Sequence, residues 1–164
     1  MVPGAPAGWA ELNRRFGTKP LAELFVPAIS YAEEGYPVPV NVARQWKRDS
    51  RRIAKAMVEN AVPHEYWWQS FMKPDGTPYR AGELFRFPDY AAALRSLAAT
   101  DCESYYRGAL MERIVAFSRA TGGYFCKDDF CNYHPEWVEP ITQDYRGYTV
   151  CEIPPNGHGI TVLM

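Results

Sequence analysis

The amino-acid sequence predicts a mainly α fold: an orthogonal helical domain that ends in a short C-terminal β-hairpin. Apolar residues recur every three to four positions through the early and middle parts of the chain. Glycine and proline punctuate those runs at places suited to helix ends. Alternation of period two is confined to residues 138–153. At 164 residues and 47% hydrophobic content the chain can bury one sizeable core, which means one domain or one domain with a stub of its neighbour. Residues 1–137 are expected to form the helical domain, and 138–164 a hairpin and loop joining a sheet outside this chain.

About six or seven helices are expected. Pro6 to Phe16 places Trp9, Leu12 and Phe16 on one side and stops at Gly17, which suits the left-handed position after a helix. Thr18 reads as the next N-cap, with Pro20 in the first turn. Leu21, Leu24, Phe25, Ala28, Ile29 and Ala32 then make an apolar stripe up to Gly35, with Pro27 expected to bend this helix or mark its effective start. A third run spans Val40 to Val58. Periodicity is lost from Asn60 to Phe87, where Tyr66 to Met72 is aromatic enough to be buried, Lys73 to Pro78 is a turn, and Tyr79 to Phe87 reads as extended. Pro88-Asp89 starts a helix through Leu97. Asp101 to Ala120 gives another, with Tyr105, Leu110, Ile114 and Phe117 inward and Gly122-Gly123 as the stop. Lys127 to Tyr133 fits one or two turns, and residues 138–145 and 148–153 flank a tight Arg146-Gly147 turn.

Both ends read as interior sequence. Ile160 to Met164 is nearly all apolar and looks like a helix start in need of a partner, so the chain is expected to be a piece of a larger protein. Met1 is followed by Val, Pro and Gly rather than by a basic stretch and an apolar core, so no signal peptide is visible here, and the compartment stays open. Lys and Arg total 18 against 19 Asp and Glu, too balanced to attract nucleic acid or an anionic membrane. Lys47, Arg48, Arg51, Arg52 and Lys55 recur at helical spacing and read as a solvated face.

Few residue groups could carry chemistry. Cys126, Cys131 and His134, with Cys151 or His158 as a fourth donor, have the residue types for zinc, but their spacing fits no common finger or ribbon, and ordinary thiols are the simpler reading. Nothing assigns a base to any cysteine nucleophile. Asp128-Asp129 and Glu33-Glu34 are sequence neighbours about 100° apart on a helix, so helix-start or solvent roles suit them better than acid–base work. Pro154 to Gly159 lacks the Lys and Ser/Thr of a phosphate loop and reads as a turn.

A family resemblance enters on a series of short motifs. Val2-Pro3-Gly4, Ala7-Gly8, Phe16-Gly17, Pro27-Ala28, Ala32-x-x-Gly35-Tyr36-Pro37-Val38, Tyr105-Tyr106-Arg107-Gly108 and Gly122-Gly123 resemble the gamma-glutamyltransferase family. Asp129-Phe130, Glu139-Pro140-Ile141, Asp144 to Tyr148 and Ile153 to Gly157 continue the likeness in order. The resemblance implies an N-terminal-nucleophile hydrolase parent of αββα type. Such a precursor cleaves itself, and the new N-terminal Thr attacks the gamma-glutamyl amide, with its own α-amine as the base. It also implies that this chain is the helical part of the large chain, lying outside the processed Thr and the substrate-carboxylate Arg.

No catalytic, cofactor-binding or metal-binding residue is therefore carried over, no cofactor is implied, and the isolated chain is expected to be inactive. The implied partners are the rest of the large chain, the small chain, and gamma-glutamyl small molecules for the parent, with no nucleic acid and no membrane segment. The matching Gly4, Gly35, Gly147, Pro154, Pro155 and Gly157 are read as backbone geometry and packing. Relatives include cephalosporin acylases and poly-gamma-glutamate processing enzymes. Asn156-Gly157-His158-Gly159 departs from the serine-rich form of its loop, so acyl-group specificity stays open. The alternative is a freestanding helical interaction module, motivated by Tyr66-Trp67-Trp68 and 15% aromatic content.

Overall fold

The structure is a computed structural model that describes residues 1–60 and 65–164. Residues 61–64 of the aperiodic stretch lie outside the described residues. In chain order the elements are α1 (Ala5–Phe16), α2 (Leu21–Glu34), β1 (Tyr36–Pro37), α3 (Val40–Asn60), α4 (Glu65–Phe71), β2 (Leu84–Phe85), α5 (Pro88–Ala98), α6 (Glu103–Arg107), α7 (Ala109–Ala120), α8 (Lys127–Cys131), β3 (Ile141–Tyr145), β4 (Tyr148–Glu152) and α9 (Gly159–Leu163). They form two compact units, Met1–Tyr133 and His134–Met164. The mainly helical class and the C-terminal hairpin are as the sequence predicts, and the β1–β2 pair is an addition to it. Nine helical segments among the described residues exceed the expected count because the aromatic run is helical and the 101–120 run breaks in two.

In the first unit, α1 has Pro6 in its first turn and Arg14 and Arg15 in its last, both favourable placements. Gly17 is extended (φ −70°, ψ 143°) rather than left-handed as expected. Glycine is required there by crowding, because a Cβ would run into the Asn13 carbonyl and amide. Thr18 is not the cap of α2. That place is taken by Pro20, extended at ψ 142° and offering no side-chain bond. Pro27 forgoes one main-chain bond, yet α2 continues to Glu34, carried by burial of Leu21, Phe25 and Ala32. Leu21 and Phe25 pack with Ala10, Leu94, Leu97 and Cys102 in a first core.

After α2 the chain is strapped back by β1 pairing antiparallel with β2, Tyr36 opposite Phe85 and Pro37 opposite Leu84. Main-chain bonds from Val38 to Glu83 (2.9 Å) and from Phe87 to Ala32 (2.7 Å) extend the strap. Phe85 is buried there under the rings of Trp46 (4.8 Å) and Tyr79 (5.1 Å). The aromatic run expected to be buried is instead helix α4, with Tyr66 exposed and Trp67 and Trp68 half-buried. Along α3 the basic cluster is exposed as expected, with Arg48 and Arg52 at Asp49 and Lys55 at Glu59.

The expected single helix over 101–120 is two helices, α6 and α7, meeting at Gly108 (φ −143°, ψ −156°). A Cβ on Gly108 would come within 2.9 Å of the Ser104 Cα, so the break depends on a bare backbone. Of the expected inward residues, Tyr105, Leu110 and Ile114 pack half-buried against the cores, Phe117 is exposed, and the fully buried positions are Tyr106, Met111, Val115 and Ser118. Tyr106, Met111, Val115 and Phe130 form a second core, while Tyr105 packs against both cores.

In the second unit, β3 and β4 pair antiparallel from Ile141 opposite Glu152 to Tyr145 opposite Tyr148. Arg146 (φ 51°) and Gly147 (φ 83°) are both left-handed, the two-residue turn that matches strand twist. The strand starts at Ile141 rather than Val138, consistent with Pro140 having no N–H to give a ladder. Gly159, the first residue of α9, sits where a Cβ would fall 2.9 Å from the Glu152 Cβ.

Gly35 gives a direct test of the strap. Its φ of 91° and ψ of 166° are open essentially to glycine alone, and a Cβ would lie 2.8 Å from the Phe85 carbonyl. Gly35→Ala is expected to destabilise the chain by about 1–3 kcal/mol in urea titration, and a change within about 0.5 kcal/mol would refute this account.

Candidate functional site

The Tyr106 hydroxyl ties together parts of the first unit far apart in sequence. It donates to the Pro3 carbonyl at 2.8 Å and accepts the Ala7 N–H at 3.1 Å, pinning the start of α1. Its ring stacks on Tyr133 at 5.2 Å and 16°. Burial pushes this phenol up to about 12, so it stays neutral and can keep donating. Gly4 belongs to the same contact, because a Cβ there would run into the Tyr133 hydroxyl. Arg107 closes the arrangement with bonds to Glu103 (2.9 Å) and to the Tyr133 carbonyl (3.0 Å).

The acids with altered acidity are all held ionised. Asp129 accepts the Cys126 N–H at 2.8 Å, and Cys126 in return accepts the Asp129 N–H, a reciprocal cap on α8. Hydrogen bonds from Cys126 hold the Asp129 carboxyl below its usual range. Asp75 is lowered by the Thr77 hydroxyl and N–H, and Glu83 by the Arg80 N–H and Lys73. Such carboxylates organise turns and caps; a general acid would need its acidity moved the other way. Glu33, the other acid of interest, pairs with Arg95 between α2 and α5.

The thiols do not form a reactive centre. Cys102 is buried in the first core, and burial pushes it up to about 11, away from the reactive thiolate. Cys126 is exposed, while Cys131 is half-buried and donates weakly to the Tyr106 carbonyl at 3.8 Å. His134, Cys151 and His158 are exposed in the second unit. Among the described residues, no three His, Cys, Asp or Glu side chains form a group able to hold a metal ion.

What the second unit presents is surface. Tyr145, Tyr148, Ile153 and Val162 are exposed, and β3 and β4 form a sheet of two strands. The Pro154 to Gly159 loop links β4 to α9, and a Cβ on Gly157 would meet nothing within 4 Å. In the first unit Trp67 and Trp68 lie close to one another (5.8 Å) and half-buried, which leaves only Tyr66 of the motivating run exposed. Sequence reading missed the Tyr106 lock and the Ser118 hydroxyl that accepts the Phe125 N–H at 3.0 Å. The Tyr105-Tyr106-Arg107-Gly108 motif was the available signal for the first; Ser118 had none.

Comparison with known proteins bears on the whole chain. The gamma-glutamyltranspeptidase family model matches residues 1–164. A glutathione hydrolase-like proenzyme (YwrD) of Bacillus subtilis is 31% identical over 99% of this chain and 29% of its own length. An acylase ACY 1 proenzyme of a Pseudomonas species is 35% identical over 94% of the chain and 26% of its own length. The chain thus spans less than a third of these relatives. Among solved structures, cephalosporin acylase from Bacillus halodurans is 48% identical with a TM-score of 0.91, covering 98% of this chain and 29% of that one. Helicobacter pylori gamma-glutamyltranspeptidase is 29% identical with a TM-score of 0.86, covering 96% and 43%.

Tyr106→Phe removes both hydroxyl bonds and strands the Ala7 N–H, and should cost about 1–3 kcal/mol. The phenol's folded value lies above its ordinary value near 10, so the stability it lends is complete below pH 10 and is lost as pH rises towards about 12. Urea midpoints at about pH 8 and about pH 11.5 should therefore fall further for the parent sequence than for the variant. Equal falls would show that another group controls alkaline unfolding.

Proposed function

Because the chain belongs to the gamma-glutamyltranspeptidase family, we propose that it is the helical part of the large chain of a self-processing N-terminal-nucleophile enzyme. The parent transfers or hydrolyses gamma-glutamyl groups of glutathione-type substrates. Its nucleophile is the processed Thr of the small chain, outside residues 1–164. The Thr hydroxyl attacks the gamma-glutamyl amide carbonyl, the amine leaves with a proton, and the acyl-enzyme passes its acyl group to water or to an amine. The observation that carries this reading is the family match over every residue of a chain that spans 29% of its glutathione hydrolase-like relative. The pinned carboxylates and the raised Cys102 thiol agree with a supporting role.

One observation favours a second reading of the substrate. The likeness to a cephalosporin acylase, at 48% identity, supports an acylase that removes other acyl groups by the same Thr chemistry. Substrate choice would then be set elsewhere in the parent. In both readings residues 1–137 are the helical domain, and 138–164 join it to the sheets of an αββα parent. The exposed Tyr145, Tyr148 and Ile153 supply apolar surface for that junction, since a lone two-stranded hairpin is marginal in water.

Assays of the processed parent with a gamma-glutamyl anilide and with a cephalosporin-type amide decide the substrate. Turnover of the first is expected and should vanish when the nucleophilic Thr is replaced by Ala. Turnover of only the second would establish the acylase reading. The isolated 164-residue chain should turn over neither above a boiled control, and activity there would refute the supporting role. Hydrogen exchange of that chain in dilute solution should show amides of Val138 to Met164 less protected than those of Ala109 to Ala120. Equal protection would place the hairpin in a self-sufficient core.

A further inference from the structure

The basic cluster of α3 divides into two strips. On one, Arg48 and Arg52 share Asp49 (3.1 and 3.9 Å) and Lys55 meets Glu59 (3.6 Å). On the other, Lys47 and Arg51 stand one turn apart, and among the described residues neither is paired with a carboxylate. Both border a hollow of about 240 Å³ between α3 and the turn that follows α4. Ser50 and Ala54 share their side of the helix, and these small side chains leave the room that the hollow occupies. Trp68 and the buried Met72 supply an apolar wall. The Trp68 Nε1 comes within 4.0 Å of where a Gly76 Cβ would stand, so indole and turn are continuous. The turn is held by its own bonds, from the Lys73 N–H to the Thr77 carbonyl (3.0 Å) and from the Gly76 N–H to the Lys73 carbonyl (2.8 Å). Its acids are committed, Asp75 to the Thr77 hydroxyl and N–H, and Glu83 to Lys73 (3.1 Å) and the Arg80 N–H (2.8 Å). Among the described residues lining the hollow, the charged ones are the two cations.

We propose that this hollow binds a small aromatic carboxylate, with its acid group between Lys47 and Arg51 and its ring against Trp68 and Met72. A guanidinium fork can take both oxygens of a carboxylate, and an ammonium beside it adds a compact charge. An indole and a thioether favour a flat aromatic body, which packs on both. The volume lies below the roughly 300 Å³ at which drug-sized ligands begin to be held, so the ligand is limited to about one ring and its acid. A neutral molecule of the same shape forgoes the ion pairs, and a bare inorganic anion leaves the Trp68 wall unfilled. Because the site is built from α3, α4 and the following turn, the proposal stands whether or not the parent acts on gamma-glutamyl groups.

The test titrates benzoate, benzamide and inorganic phosphate into the full-length parent and follows binding by ligand-detected NMR. Benzoate should bind more tightly than either of the others. Lys47→Gln and Arg51→Gln should each weaken benzoate by at least about fivefold, the loss of one ion pair, while Arg52→Gln on the paired strip should change it by less than about twofold. Both target side chains are exposed, so these variants should melt with the unsubstituted protein, and Lys47→Arg, which keeps the charge, should retain benzoate. Equal weakening by all three Gln variants would overturn the site in favour of a diffuse positive field. Benzamide bound as tightly as benzoate would remove the role of the cations, and phosphate bound as tightly would remove that of the ring. Benzoate left unbound, or bound alike with and without Lys47 and Arg51, would overturn the proposal outright. Turnover of a gamma-glutamyl anilide is measured separately, so failure of the enzymatic reading and failure of this site are told apart.

Discussion

The first unit depends on a break in the backbone at Gly108 and on the hydroxyl lock beside it. The Ser104 Cα lies where a Cβ at Gly108 would need at least 3 Å, so only glycine lets α7 leave α6 at that angle. The break turns Met111 and Val115 towards Phe130 while Tyr105 keeps contact with the first core. Tyr106, one residue on, carries its hydroxyl to Pro3 and Ala7, about a hundred positions away in sequence. Local crowding thus sets the helix direction, and a long-range polar pair fastens the opening segment over the result.

That arrangement explains why burial stops short in particular places. Leu21, Phe25, Leu94 and Leu97 bury one side of the α2–α5 pair, which leaves Leu24 and Tyr90 at its rim. α1 contributes Ala10 to the core, a small residue, while its large Trp9, Leu12 and Phe16 face outwards. Within the second unit the hairpin likewise turns Tyr145 and Tyr148 to solvent, and its strands pair with each other and lean on α9. Apolar area left in contact with water forgoes about 25 cal/mol per Å², so each such face is a reservoir of binding energy for a neighbour.

The features legible in the sequence are those decided by neighbouring residues. Arg146-Gly147 between alternating segments announces its turn, because the glycine takes the second left-handed position of a two-residue hairpin loop at no steric cost. Asp129 at the start of α8 was readable as a helix-start acid. Contacts between distant residues were not readable. Within Glu103 to Ala120 Gly108 is the one local hint of two helices rather than one, and the atom that crowds it matters only once the backbone has turned. The apolar stripe shows that Tyr105, Leu110 and Ile114 turn inward but not that they serve two cores, Leu110 the first, Ile114 the second and Tyr105 both. Gly17 looked like a left-handed stop, yet its geometry is set by Asn13 pressing on it. In α4 the aromatic residues show no period because the helix is half-buried rather than one-sided.

The family motifs can now be read as physics. Gly4 makes room for Tyr133, Gly35 takes a backbone conformation closed to other residues, Gly108 admits Ser104, and Gly147 completes a turn. Each is a demand of backbone geometry, and none places a reactive group. The same reasoning separates what this chain can and cannot specify. With its altered carboxylates held ionised in caps and turns and its buried thiol kept protonated, it has shape and apolar surface to offer a neighbour.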